Sequence, residues 1–324
     1  MEQKAVSRVM LMLLVMGLLS LAFNVQFVKA QGIIYIRDNG SVDPPTAPIN
    51  RQGNRYIFTD NISAEIEVQK RNVIVDGAGF TLQGSGSGCG FSWSEIDGVT
   101  IRDVTIRNTN IQNYDYGIYI ELSSSNNVYG NTIKNNSWYG IYIYDSSNNI
   151  ISGNNITNCD EGIGIESSSS NTVSGNTITN STWYGIDIYY SSSNTVSGNN
   201  IENSYSYGVS VAWSPNNAFR NNIMINNKYS FIASGDTLEH FINDVDTSNT
   251  VDGKPVYYLI NQQNLVIDPS TYPNIGYLAL INSENITVKG LELKNNGQGI
   301  LLAYTTNSQI TNNNLVDNDV GVEL

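Results

Sequence analysis

The sequence predicts an all-β chain, a right-handed parallel β-helix (solenoid) with an N-terminal cap. Three observations predict it. A phrase recurs at a fixed step: the glycines of Tyr139-Gly140-Ile141-Tyr142-Ile143, Glu161-Gly162-Ile163-Gly164-Ile165, Tyr184-Gly185-Ile186-Asp187-Ile188 and Tyr207-Gly208-Val209-Ser210-Val211 are 22, 23 and 23 residues apart. A fixed step in this range marks a stacked-repeat architecture. Within each repeat, Gly-Ile-x-Ile and the interleaved Gly-Asn-x-Ile phrases (Gly130, Gly153, Gly175, Gly198) alternate with period two, as short strands do. Beyond residue 30 no 3.6-residue apolar stripe is long enough for a crossover helix, so parallel strands joined by Ser- and Asn-rich turns must coil. Like then stacks on like. Ile141, Ile163 and Ile186 form an inward column, and the column Asn131, Asn154, Asn176, Asn199 is expected at a left-handed turn position with its amides pairing along the axis.

In chain order, Lys4 and Arg8 precede the apolar run 9–23, and Val28-Lys29-Ala30 offers a cleavage point before Gln31, so residues 1–30 read as a signal peptide. Residues 31–70 fall outside the repeat; Ile33-Ile34-Tyr35-Ile36 and Tyr56-Ile57-Phe58 read as strands of a β cap over the first rung. The coil proper spans 71–226. Residues 227–275 read as two degenerate rungs that stay in phase, because Ser230, Gly253 and Gly276 keep the glycine step and lead to Gly299 and Gly321. Pro255 suggests a bulge there. The coil resumes over 276–324 and stops in mid-rung at Leu324, from which the expectation is an incomplete gene product or a partner that covers the last strand.

Composition sets compartment and partners. The chain carries 16 Lys and Arg against 29 Asp and Glu, a net −13; loss of residues 1–30, with Glu2, Lys4, Arg8 and Lys29, makes it −15. That balance argues against nucleic acid. Cys89 and Cys159 fall about three rungs apart, about 14 Å and too far for a disulfide, so two free, mostly buried thiols are expected. The sequons at Asn39, Asn61, Asn135, Asn155, Asn180 and Asn285 fit a secreted or cell-surface glycoprotein.

Several phrases together resemble the NosD-type β-helix proteins, in the version common on archaeal cell surfaces. They are Ile34-Tyr35-Ile36-Arg37 with residues 43–49, Val75-Asp76-Gly77-Ala78-Gly79-Phe80-Thr81-Leu82, the Gly-Asn-x-Ile rungs, and residues 246–259 from Asp246 to Leu259, the most specific of the four. The resemblance covers nearly all of 33–324. It implies a pectin-lyase-type fold outside the membrane. The family takes its name from periplasmic proteins linked to copper delivery for nitrous-oxide reductase, and such repeats recur in carbohydrate-binding proteins and sugar hydrolases. Copper, however, draws on His, Cys and Met, and beyond residue 30 these are His240, Cys89, Cys159 and Met224 alone. A NosD-like copper accessory role is therefore an alternative with too few ligands, and no metal site is assigned.

The outward face points to carbohydrate. With Ile at the first and third positions after each Gly turned inward, the second and fourth turn outward, giving Tyr119, Glu121, Tyr142, Tyr144, Gly164, Glu166, Asp187, Tyr189, Ser210 and Ala212. Beside them lie Trp138-Tyr139, Asp160-Glu161 and Trp183-Tyr184. Rings spaced along a rigid rod with hydroxyls and carboxylates between them suit a polysaccharide or surface glycan. Trp138, Tyr139, Tyr142, Tyr144, Trp183, Tyr184 and Tyr189 are the candidate sugar contacts, and Asp160 and Glu161 an acidic cluster. Glu166 and Asp187 on adjacent rungs are the candidate pair for an inverting glycoside hydrolase, which needs two carboxylates about 6.5–9.5 Å apart. A lyase-type base is missing, since the outward columns carry no Lys or Arg. A non-catalytic scaffold is the favoured reading and the hydrolase the alternative. No cofactor is expected beyond Ca²⁺, for which Asp160, Glu161 and Glu166 supply oxygen donors without a specifying loop.

Overall fold

The computed structural model describes residues 32–324; the expected signal peptide lies outside them. It is an all-β solenoid of about twelve turns with a single 3-10 turn, Leu238–Phe241. A representative rung contributes Tyr139–Tyr144 to a first sheet, Ile150–Ser152 to a second and Asn155–Thr157 to a third, and the chain then re-enters the first sheet at Glu161–Glu166. Pairing between rungs is parallel and in register, Ile141 against Ile163 and Ile163 against Ile186. The inward Ile and Val columns are almost wholly inaccessible, and at about 25 cal/mol per Å² that burial is what holds the coil together. The cap begins with Ile33–Ile36 parallel to Glu65–Val68, and an antiparallel pair Ile49–Gln52 and Arg55–Phe58 leads into the second sheet.

The corners differ from expectation in one respect. Asn131, Asn154, Asn176 and Asn199 are not left-handed; the preceding Gly130, Gly153, Gly175 and Gly198 are, at φ 60–65°. The asparagines turn inward instead. The Oδ1 atoms of Asn154, Asn176 and Asn199 each accept the backbone N–H and the Nδ2–H of the asparagine one rung before, at 2.9–3.0 Å, and Asn131 Oδ1 accepts Thr109 N–H at 3.1 Å. A second buried ladder, Asn126, Asn149, Asn171, Asn194 and Asn217, does the same at another corner. These ladders satisfy corner N–H groups that no strand can pair. The glycines of the repeat phrase answer a different need, since they are not left-handed. A Cβ on Gly162 would stand 2.5 Å from the Gly185 carbonyl oxygen and against Ile178.

The stretch 227–275 does not stay in phase. Ser230 keeps the column, but Gly253 does not: Asp252 and Gly253, both at positive φ, form a two-residue turn that pairs Val251 with Lys254 and Thr250 with Pro255 antiparallel. Asp-Gly at paired positive φ is the favoured hairpin turn, and here that local preference overrides the rung step. Gly276 consequently faces Pro255, and the glycine column restarts only at Gly299 and Gly321. From Lys254 onward the strands build a second coil with its own core of Leu278, Leu280, Leu293 and Ile300. The opposite face of its first sheet (Tyr277, Ala279, Ile281, Leu301) packs on the core of the first coil. Its turn at residues 295–298 closes the free edge of Tyr229–Ser234: Ser230 N–H donates to Asn295 O at 2.7 Å and Gly297 N–H to Phe231 O at 2.9 Å. The buried Gln298 amide completes the seal on Ala233 at 2.8 Å. The last rung of the first coil, which would otherwise be an open edge, is thus covered from within the chain.

Candidate functional site

Period-two alternation places the expected residues on the outer face of the first sheet. Three outward columns run along it: Tyr116, Tyr139, Glu161, Tyr184, Tyr207; then Tyr119, Tyr142, Gly164, Asp187, Ser210; then Glu121, Tyr144, Glu166, Tyr189, Ala212. The tyrosines do not offer their faces as a sugar platform would. Tyr116 and Tyr139 lie parallel (3°, centroids 5.6 Å), as do Tyr119 and Tyr142 (8°, 5.6 Å), so each ring covers its neighbour and turns its edge and hydroxyl outward. The rings exposed to half or more are the indoles at the rim, Trp138 at 52% and Trp183 at 55%, on either side of Asp160, and Tyr190, Tyr205 and Tyr304 at other turns.

Gly164 interrupts the tyrosine run for a steric reason. A Cβ there would stand 2.5 Å from Tyr139 Cε1 and 3.0 Å from Tyr142 Cδ2, because both rings fold over it. The carboxylates gather around this fold. Tyr142 donates its hydroxyl to Glu166 at 2.5 Å. Burial pushes Glu161 up to about 8, with Asp187 adding repulsion and the Tyr139 hydroxyl opposing, and Glu161 Oε2 has no hydrogen-bond partner. Burial likewise raises Asp187 to about 6 against the Ser210 hydroxyl, and raises Asp160 against Thr182. Glu166 and Asp187 occupy adjacent rungs two residues out of line, about 8 Å apart at Cα. Glu161 and Glu166 stand at opposite ends of one strand. Among the described residues no three His, Cys, Asp or Glu side chains are grouped to hold a metal.

Downstream of Asp187 the outer face is hollow, a feature no candidate list from the sequence contains. Ser210 and Ala212 replace the tyrosines of earlier rungs, leaving a cleft of about 340 Å³ floored by Asp187 and Ser210. Tyr184 and Tyr207, stacked at 5.6 Å, form one wall, and Tyr189 with Trp213 the other, edge to face at 5.6 Å. Trp213 stacks in turn on Tyr190 at 5.5 Å. Both hold left-handed backbone, φ 50° and 45°, at a turn position that Asp145 and Ser167 fill in the rungs before. Leu122 holds the same position at φ 46°, so left-handed backbone is a regular corner of the coil, and bulky residues there cost about 1–3 kcal/mol each.

Of the sequons, Asn39, Asn61, Asn135, Asn155 and Asn285 are exposed and Asn180 half-buried. Cys89 and Cys159 are free, and burial pushes their thiols up to about 12 and 11. No helix among the described residues is long and apolar enough to cross a membrane.

A family model described as periplasmic copper-binding protein (NosD) matches residues 64–255, and one described as right-handed β-helix region matches 194–324. No curated protein matches the sequence. Among solved structures, an alginate lyase from Paenibacillus sp. str. FPU-7 is 15% identical over 91% of this chain and 100% of its own, with a TM-score of 0.50. A point variant of the periplasmic alginate epimerase AlgG is 17% identical with a TM-score of 0.45, over 78% of this chain; the chain spans about half (51%) of that protein. The A-module of the mannuronan C-5 epimerase AlgE4 from Azotobacter vinelandii is 14% identical over 91% of this chain and 87% of its own, with a TM-score of 0.34. At these identities the likeness is one of fold.

The soft donors do not fit a copper site. Met224 and Cys159 are buried, Cys89 sits in the Tyr116 and Tyr139 column, and His240 uses Nδ1 to accept the backbone N–H groups of Asp236 and Thr237 at 3.1 and 3.3 Å. They are scattered over separate parts of the coil.

Proposed function

The chain belongs to the NosD family of right-handed β-helix proteins, and on that premise we propose that it is an extracytoplasmic scaffold that holds polysaccharide along the outer face of its first sheet. One observation carries the reading: exposed indoles at Trp138 and Trp183, two rungs apart on a rigid lattice, border hydroxyls and half-buried carboxylates that suit sugar hydroxyls. The low content of basic residues, the exposed sequons and the family's periplasmic description support a location outside the cytoplasm. The test is affinity electrophoresis of residues 31–324 through a panel of embedded polysaccharides. Trp138→Ala combined with Trp183→Ala, both at exposed turn positions, should abolish retardation; unchanged retardation refutes the proposal.

The placement of Glu166 and Asp187 on one cleft, with Asp187 raised to about 6, favours a second reading as an inverting glycoside hydrolase. It predicts released oligosaccharide that disappears in Asp187→Asn and in Glu166→Gln. Absence of product across the same panel sinks it.

A further inference from the structure

The second coil does more than close the first, because it reaches both walls of the cleft. Tyr207, in one wall, donates its hydroxyl to Asp319 of the second coil at 2.5 Å. Trp213, in the other, donates its indole N–H to Asp236 Oδ2 at 2.8 Å, and Tyr304 of the second coil donates its hydroxyl to the Asp236 carbonyl at 2.9 Å. These two tethers span 112 and 68 residues of sequence and converge on opposite sides of one hollow. Its floor is built from polar hydroxyl partners, Ser210 and Asp187, and none of the residues that line it is a Lys or Arg. Its size lies at the lower end of small-ligand sites. The Trp213 indole is held by Asp236 and by its contacts with Tyr189 and Tyr190.

We propose that this cleft is a saccharide subsite for a neutral, hydroxyl-rich sugar residue, and that Asp319 and Tyr304 of the second coil are positioning residues that hold its walls apart at the bound width. The proposal rests on the polysaccharide-binding reading and narrows it. The edges of Tyr184 and Tyr207 on one side and of the Tyr189–Trp213 pair on the other flank a pyranose ring, and Asp187 and Ser210 accept hydrogen bonds from its hydroxyls. Uronate polymers are disfavoured, because their carboxylates would meet those of Asp187 and Glu166 where no Lys or Arg lines the cleft.

The test uses the full chain from residue 31 and four variants: Trp213→Ala for a wall, Tyr304→Phe and Asp319→Ala for the two tethers, and Trp138→Ala with Trp183→Ala for the rim. Binding is read by affinity electrophoresis on neutral glucans and mannans and on alginate and polygalacturonate, by quenching of tryptophan emission on ligand addition, and alongside thermal unfolding. Trp213→Ala should weaken retention of the neutral polymer at least about tenfold, and each tether variant about threefold, without a matching fall in Tm. The emission change of wild type should shrink in the tether variants as well, which a merely structural role would not produce at unchanged Tm. Wild-type affinity in both tether variants, or equal retention of uronates, overturns the inference. If rim substitution abolishes binding while Trp213→Ala leaves it intact, the general reading stands and the subsite is refuted; if wild type binds no polymer, both fall.

Discussion

Replacing Asn176 by alanine tests the corner ladders as the source of rung-to-rung order. Asn176 is 1% exposed, and its Oδ1 accepts both the backbone N–H and the Nδ2–H of Asn154, at 2.9 and 3.0 Å. Its own Nδ2 donates to Ile151 O and Asn199 Oδ1, each at 3.0 Å. Truncation leaves two donors of Asn154 buried without acceptors and removes two donated bonds. At about 1–3 kcal/mol per orphaned buried group, the cost is about 4 kcal/mol, a large part of a stability of about 5–15 kcal/mol. Urea unfolding followed by intrinsic fluorescence measures it, with Asn155→Ala, exposed on the adjacent rung, as a control expected to cost under about 0.5 kcal/mol. Asn176→Asp keeps the acceptor contacts but sets a carboxylate against Asn199 Oδ1. It should be at least as damaging at pH 7, and partly relieved in acid where the protonated group can donate. A cost below about 1 kcal/mol for Asn176→Ala, or one equal to that of Asn155→Ala, would show that apolar burial alone sets the register.

Gly162→Ala forces a methyl onto the Gly185 carbonyl of the next rung, so a loss of about 3 kcal/mol or more in the same unfolding assay is expected, although the position needs no special φ. Burial alone would raise Asp76, but Arg55 at 2.6 Å, the Ala78 N–H, Asn108 and Arg107 at 2.9 Å outweigh it and lower the carboxyl to about 2. That lowering contributes about 2 kcal/mol of stability, present above pH 3.8 and lost as pH falls through 2, and Asp76→Asn should abolish this segment of the acid titration. Tyr190→Asn removes a bulky ring from left-handed backbone and should leave stability unchanged or up to about 1 kcal/mol higher despite the lost Trp213 stacking; a clear fall in Tm would remove the case for strain. After copper loading and gel filtration, residues 31–324 should retain far less than one equivalent by metal analysis, and tight stoichiometric copper would overturn the donor-set argument.

The parts of the fold legible in the sequence are those that depend on a two-residue alternation repeated at a fixed step. Ile141, Ile163 and Ile186 inward and Tyr142, Asp187 and Tyr189 outward follow from it directly, and pairing between rungs then fixes their columns. Asp252-Gly253 shows where step counting fails. Gly253 preserves the count, yet its pairing with Asp252 at positive φ makes a hairpin, and the local turn chemistry carried the information that the spacing concealed. The cleft escaped for another reason. It consists of side chains that are missing, at Ser210 and Ala212, and of one that enters from a turn, Trp213, so no list of aromatic or acidic residues contains it. The mutual covering of the Tyr116 and Tyr139 rings was equally hidden, because column membership says which rings are neighbours and nothing about which face each presents.

Because the second coil seals the first against the strand Tyr229–Ser234, and the hollow beside Trp213 lies within the last rungs before that seal, everything that must fit together closely sits at one end of the rod. The rungs between Gly117 and Gly162 touch only copies of the same motif above and below. Gain or loss of one unit of 22–23 residues there would change the reach of the molecule by about 4.8 Å while leaving the closing surface untouched. The length of the rod and the fit at the seal are therefore separable properties of this fold, although a change of length also changes the rim that carries Trp138.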